Sequence, residues 1–366
     1  MNNSTSSINS ILILIWTCSV VPHICNGQKK QPAVRNVILM IGDGMGPAQV
    51  YAGLTANKGS LNLERCTAVG FHKNQASDEY ITDSAAGATA LACGEKSYNG
   101  AISVDPINKK PMTTILEIAE NHGLATGLVA TCSITHATPA CFIAHQPSRS
   151  LDENIAHDFL KTDIDVFIGG GRKFFTQRAD GKNLVDSLKQ RGYQIANNIA
   201  EVKSAKSGKL AAFLADEQQK KFSDGRGDEL VQSTEVALKL LAQNKKGMFM
   251  MIEGSQIDWG GHANDTQYII NEMVDFDHAI GKVLDFAAKD GHTLVVITAD
   301  HETGGFSIVN GDMKAGTVEG KFTTGDHTGV MIPVYAFGPG SEKFSGIYQN
   351  TAIFDKMLEA YGFQKK

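Results

Sequence analysis

The chain has 366 residues, with 34 basic and 39 acidic side chains giving a net charge of −5, and is 42% hydrophobic. This is a globular composition, and its near-balanced charge excludes a nucleic-acid binder, whose basic face would show in the count. Length alone would suit two or three domains, but one large α/β sheet absorbs it equally well. The first apolar run, Ile11 to Val21, is too short to cross a bilayer. It reads as the core of a signal peptide over residues 1–27, with Cys25-Asn26-Gly27 before the cleavage point. The stretch before it lacks Lys and Arg. An acylated Cys25 is the competing reading, although Pro22-His23-Ile24 is a poor match to the small residues that would require. The expectation is an exported chain, periplasmic or secreted, without stable membrane insertion.

Asn36 to Ile41 is an uncharged apolar run of strand length, followed by Gly42-Asp43-Gly44-Met45-Gly46 and then helix-compatible sequence from Pro47. Similar runs cover 124–130, 165–168, 248–252, 293–298 and 330–337, with helical patterns at 112–122, 151–161, 229–243, 265–289 and 350–361. Strands apolar on both faces suit a parallel sheet covered by helices. The alternation predicts a doubly wound, mostly parallel α/β sheet with helices on both faces. Residues 28–366 are expected to form one catalytic domain. The polar stretch 173–228 reads as a surface excursion from it, and 307–326, rich in Gly, Lys and Thr, as a loop. Cys66, Cys93, Cys132 and Cys141 show no zinc-type spacing, and buried thiols or one disulfide are equally compatible with them.

In such sheets reactive groups gather beyond the carboxyl ends of the strands. Those ends carry Asp43; His136 and Thr138; Glu253, Asp258 and His262; and Asp300 and His301, with His327 just before the run at 330. A single acid there is usually a helix cap or a solvated loop residue. Four strand ends with ligand-type residues are better explained by a multi-metal site. Asp258 and His262 are four apart, so a helical turn or a tight loop would aim both at one ion. Gly260-Gly261 weakens the case for a regular helix there. Thr82-Asp83-Ser84 opens an alanine-rich helix. Ser84 is there either an N-cap or a nucleophile, favoured as an anion by the helix dipole and by a nearby cation. Arg149 precedes a helix, and its fork fits two phosphoryl oxygens. Alone it would be an ordinary surface arginine.

Six segments, IGDGMG, TDSAAGATA, HATPA, EGSQIDWGGH, ADHETGG and GDHTG, occur in this order, and together they resemble the alkaline phosphatase family. The resemblance implies two Zn²⁺ and one Mg²⁺ per subunit. Asp258, His262 and His327 would hold the first zinc. Asp300, His301 and Asp43 would hold the second, beside Ser84. Asp43, Thr138 and Glu253 would hold the magnesium, with His136 beside it. Arg149 would clamp phosphate. His136 and Trp259 stand at substrate-side positions that vary in the family: the best-known bacterial enzyme carries aspartate and lysine there, and animal enzymes carry two histidines. Trp259 would remove a cationic contact to phosphate. The short stretch between His301 and His327 implies a reduced crown insertion, and the family implies a homodimer.

The implied reaction is hydrolysis of phosphate monoesters through a phosphoserine, with release of inorganic phosphate. The alternative is a phosphodiesterase of the same superfamily, which could keep the same ligands. A sulfatase is disfavoured, because Ser84-Ala-Ala-Gly-Ala lacks the C/S-x-P-x-R context. A phosphate scavenger without turnover is the non-enzymatic rival. Among the other histidines, His145 is expected near Arg149, and His72, His122, His157, His278 and His292 at the surface or at helix caps.

Overall fold

The computed structural model describes residues 33–364, apart from the isolated Met1. The predicted signal peptide and its cleavage point lie outside the described residues. The strands are β1 (Asn36–Gly42), β2 (Ala68–Lys73), β3 (Ala125–Ser133), β4 (Val166–Gly170), β5 (Gln194–Ala196), β6 (Leu210–Phe213), β7 (Met248–Gly254), β8 (Thr293–Thr298), β9 (Glu302–Thr303), β10 (Ser307–Asp312), β11 (Thr317–Lys321), β12 (His327–Thr328), β13 (Ile332–Phe337) and β14 (Gly346–Gln349). Ten of them form one sheet in the order β14-β2-β13-β8-β1-β7-β3-β4-β6-β5. Only β13 runs against the rest, being antiparallel to both β2 and β8. This is the mostly parallel, helix-covered sheet that the alternating runs predict.

The two-faced strands follow from side-chain alternation. Val37, Leu39 and Ile41 of β1 enter the hydrophobic cluster on one face, with Leu91, Phe142 and Phe249. Ile38 and Met40 enter the other, with Met250, Met273 and Phe276. The second cluster rests on the 25-residue helix Thr266–Asp290, where Ile269, Met273, Phe276, Ile280 and Leu284 are fully buried. These residues recur at the spacing of one helical face.

Three sequence expectations need correction. The segment 173–228 is more than a surface excursion: β6 pairs with β4 and β5 with β6, both parallel, extending the main sheet. Both strands are four residues or shorter, below the length at which an apolar run stands out. The segment is also tied to the core by Arg226, whose guanidinium reaches Asp275 at 2.8 Å and also Glu272, with all three side chains at most 2% exposed. Residues 307–326 are not simply a loop, because β10 and β11 form an antiparallel hairpin there. Finally, His72 is fully buried on β2 and donates from Nε2 to the Ala299 carbonyl at 2.9 Å. Burial pushes its pKa down to about 4, so it serves as a neutral brace for the end of β8.

Candidate metal centre and active site

The register of the central strands brings the site together. Ile41 of β1 lies level with Glu253 of β7 and with Thr298 of β8, while Ala130 of β3 lies level with Glu253. Residues just beyond these points meet above the middle of the sheet. The Asp43 amide donates to the Gly254 carbonyl at 3.2 Å, which fixes the turn after β1. Gly44 there has φ +71°, and a Cβ on it would lie 2.7 Å from the Asp258 Cα. A left-handed backbone pressed against a neighbouring chain admits only glycine. Gly44→Ala is expected to lower kcat/KM by about 10²-fold, as about 1 Å of displacement at a reacting centre can. Far-ultraviolet circular dichroism should stay unchanged, and a fully active variant would contradict this packing argument.

Around Asp43 the donors converge. His301 Nε2 lies 3.3 Å from Asp43 Oδ1 and 3.3 Å from Asp300 Oδ2. Ser84 Oγ lies 3.1 Å from His301 Nε2 and 3.5 Å from Asp43 Oδ1, and Thr138 Oγ1 donates to Asp43 Oδ2 at 3.3 Å. Asp83, not Ser84, is the N-cap of the helix Ser84–Cys93, accepting from the Ala86 amide. The serine hydroxyl is thereby left for the site.

A second group forms on the helix Gln256–His262. The glycine pair does not break this helix; Gly260 and Gly261 let it approach Ile269 and Thr303, which an added Cβ would meet at 2.7–2.8 Å. Asp258 Oδ2 lies 3.3 Å from His262 Nε2 and its Oδ1 lies 3.5 Å from His327 Nε2. A third group joins Cys132, His136 and Glu253. In each group, one ligand atom from every residue lies within 4.8 Å of the others.

Whether these residues fit metal ions can be decided from their protons. His262 Nδ1 lies 2.6 Å from the Gly325 carbonyl and His327 Nδ1 2.8 Å from the Thr82 carbonyl. A carbonyl only accepts, so both Nδ1 atoms carry hydrogen and the neutral rings present Nε2 lone pairs. Those two Nε2 atoms are 3.2 Å apart, facing one another beside a carboxylate. Such an arrangement calls for a cation or an extra proton. His262 is accordingly pushed up to about 9, first by its hydrogen bond to Asp258. Near Asp43 the demand is stronger. Burial, then the negative charges of Asp300, Asp258 and Glu253, raise the Asp43 carboxyl well above its usual range. Glu253 is pushed up to about 8 and Asp300 to about 6, burial leading in both cases. Glu253 Oε1 and Asp300 Oδ2 are buried without any hydrogen-bond partner. Buried carboxylates crowded in this way fit divalent cations.

The predicted phosphate clamp sits at the rim. Arg149 is held by Asp83 Oδ2 at 3.0 Å from Nη1 and donates from Nη2 to His136 Nε2 at 3.3 Å. Trp259 lies edge-on to His136 at 6.1 Å between ring centroids, so these two variable positions are neighbours. Thr82, Asp83, Asn99, Arg149, His262 and His327 line a shallow depression of about 350 Å³ that opens the site to solvent. His145, expected near Arg149, has its ring engaged by Glu117 at 3.0 Å and by the Ser103 carbonyl. Cys66, Cys93, Cys132 and Cys141 are free thiols, so no disulfide forms among them.

Two residues with important contacts escaped the sequence reading. Thr303 donates its hydroxyl to Asp258 and lies 3.2 Å from His301 Nδ1. Glu302 gathers Gln49, Thr328 and the Phe306 amide. Both lie in ADHETGG, whose length past the Asp-His pair was the available signal.

A sequence profile of the alkaline phosphatase family matches residues 34–323. The chain belongs to the alkaline phosphatase family. The phosphatase is 36% identical to alkaline phosphatase 4 of Bacillus subtilis over 87% of each chain. It is 32% identical to the Escherichia coli alkaline phosphatase, over 90% of this chain and 86% of that one. Among solved structures, the alkaline phosphatase of the Antarctic bacterium TAB5 matches with a TM-score of 0.86 and 42% identity, covering 92% of this phosphatase and 100% of its own chain. Two variants of the TAB5 enzyme, with a histidine replaced by glutamate or aspartate, are described with Mg bound in the M3 site.

Proposed function

We propose that the phosphatase is an exported, metal-dependent phosphomonoesterase working through a phosphoserine on Ser84. The observation that carries this reading is the position of the Ser84 hydroxyl, within 3.5 Å of Asp43 and His301, where ligand groups from several strand ends meet. Asp258, His262 and His327 would hold one zinc ion, and Asp300, His301 and Asp43 a second. Thr138, Glu253, His136 and Asp43 would take a third divalent cation. When bound, these ions supply Lewis-acid stabilisation of the phosphoryl, attacking and leaving oxygens.

The chain's own groups do the rest. Ser84 begins a ten-residue helix, whose dipole favours the oxygen as an anion. Asp43 Oδ1 lies where it can accept the hydroxyl proton. Arg149, fixed by Asp83, presents its guanidinium to two equatorial phosphoryl oxygens, and Trp259 bounds the pocket without adding charge. Attack of Ser84 Oγ on phosphorus forms the phosphoserine and breaks the ester P–O bond, and the departing oxygen takes a proton from solvent to leave as the alcohol. Water, after losing a proton, then attacks the same phosphorus in line, frees inorganic phosphate and restores the serine. Charge neutralisation and positioning carry most of the acceleration of so loose a transfer.

Removal and return of metal test this reading. Chelation is expected to abolish turnover of a phosphate monoester, and zinc with magnesium to restore it. A matched diester should be cleaved far more slowly. Comparable rates would favour the diesterase alternative, and activity that survives complete stripping would remove the metal from the reaction. We also assign export to residues 1–27, the catalytic domain to residues 28–366, and a homodimer as the working assembly. Light scattering of the purified chain checks the last.

A further inference from the structure

The donor set around Glu253 contains a side chain that this mechanism leaves unused. Cys132 stands near the carboxyl end of β3, fully buried, with Sγ 3.4 Å from Glu253 Oε2 and 3.2 Å from the Ser133 carbonyl. A ring nitrogen of His136 completes a triangle of ligand atoms within 4.8 Å of one another. Two of its members are unsatisfied. Glu253 Oε1 and His136 Nδ1 are buried with no hydrogen-bond partner, while His136 Nε2 is engaged by Arg149. The other two buried thiols have neutral company: Cys93 faces the Met112 carbonyl, and Cys141 faces the Ala85 carbonyl and the Thr89 hydroxyl. Of the three, only Cys132 hydrogen-bonds a carboxylate.

We infer that Cys132 is a thiolate ligand of the third cation, so that this position selects a zinc-class ion over magnesium. Magnesium takes oxygen donors in near-ideal octahedral geometry. One sulfur, one imidazole nitrogen and one carboxylate are instead donor types that zinc accepts, with Asp43, Thr138 or solvent available for the remaining position. Binding forms a metal–sulfur bond and releases the thiol proton to solvent. This inference rests on the metal-dependent reading above, but it concerns sulfur ligation and not turnover.

The test strips the full-length protein and titrates it with Co²⁺, then with Zn²⁺ in the presence of excess Mg²⁺. Wild type is expected to show a sulfur-to-cobalt charge-transfer band in the near ultraviolet and to retain a third zinc after dialysis against magnesium. Cys132→Ser and Cys132→Ala should both lose the band and retain one zinc fewer per chain. A wild-type protein without the band, a band that persists in both variants, or a third zinc freely displaced by magnesium overturns the assignment. Monoester turnover by zinc-loaded wild type is measured alongside. Turnover without the band refutes the cysteine's role and leaves the phosphatase reading standing; the band without turnover refutes the phosphatase reading and keeps the cysteine.

Discussion

Ser84→Ala is expected to lower kcat/KM for a phosphate monoester by at least about 10⁴-fold, the scale seen when a covalent nucleophile is removed. It should also abolish labelling of the protein by phosphate. The Ser84 side chain is 2% exposed, and only its hydroxyl approaches Asp43 and His301, so alanine fits the same space. Asp83 still caps the helix through the Ala86 amide, which keeps the fold. Zinc content should therefore stay near normal, because the remaining donors are untouched. Retained labelling by phosphate would assign the nucleophile elsewhere. Loss of zinc together with activity would mean that the hydroxyl is needed to assemble the site.

The second large effect lies far from the chemistry. Arg226→Met should destabilise the fold by about 3–5 kcal/mol, the cost of leaving buried partners of a broken ion pair without compensation. That is a large part of the roughly 5–15 kcal/mol that holds a typical domain together. The arginine also donates to the Lys220 carbonyl at 3.2 Å, and Glu272 accepts from the Phe222 amide at 2.8 Å. One guanidinium thus fastens the segment before the helix Glu229–Leu241 to the helix Thr266–Asp290. The pH dependence separates lost charge from lost packing. Asp275 is already pushed up to about 6, mainly by burial and against the pull of Arg226. Without the arginine its folded pKa rises further above the unfolded value. The folded state then holds a proton that the unfolded chain has released, so stability falls as pH rises through that interval. Urea denaturation of the variant, referenced to wild type, should show a smaller loss at pH 5.5 than at pH 8. An equal loss at both pH values would attribute the effect to packing alone.

Much of the fold, and the meeting of the candidate ligand residues at one end of the sheet, could be read from the chain itself. The central strands are apolar on both faces, so Asp43, Glu253 and Asp300 stood out as charges at the ends of runs that contain none. The outer elements were not legible for physical reasons. In β2 exposed and buried positions alternate, and β5 and β14 are short edge strands whose pairing depends on neighbours distant in sequence. His72 gave no local sign of burial, because its strand neighbours β13 and β14 and the Ala299 carbonyl that it meets all lie far away in sequence. Cys132 carries no such mark, because Glu253, whose carboxylate it meets, lies 121 residues away. Thr303 escaped for the same reason: a hydroxyl becomes informative only once the chain has brought it between two other groups.

That hydroxyl links what would otherwise be separate compartments. It has one hydrogen, which it gives to Asp258, and its lone pair faces His301 Nδ1. An ion captured by Asp258 draws electron density from the carboxylate and weakens its hold on that hydrogen, and the imidazole on the far side feels the change. On the proposed metal assignment, filling of the Asp258 and His301 sites is therefore thermodynamically linked, and a titration of the stripped protein should depart from independent, equivalent binding.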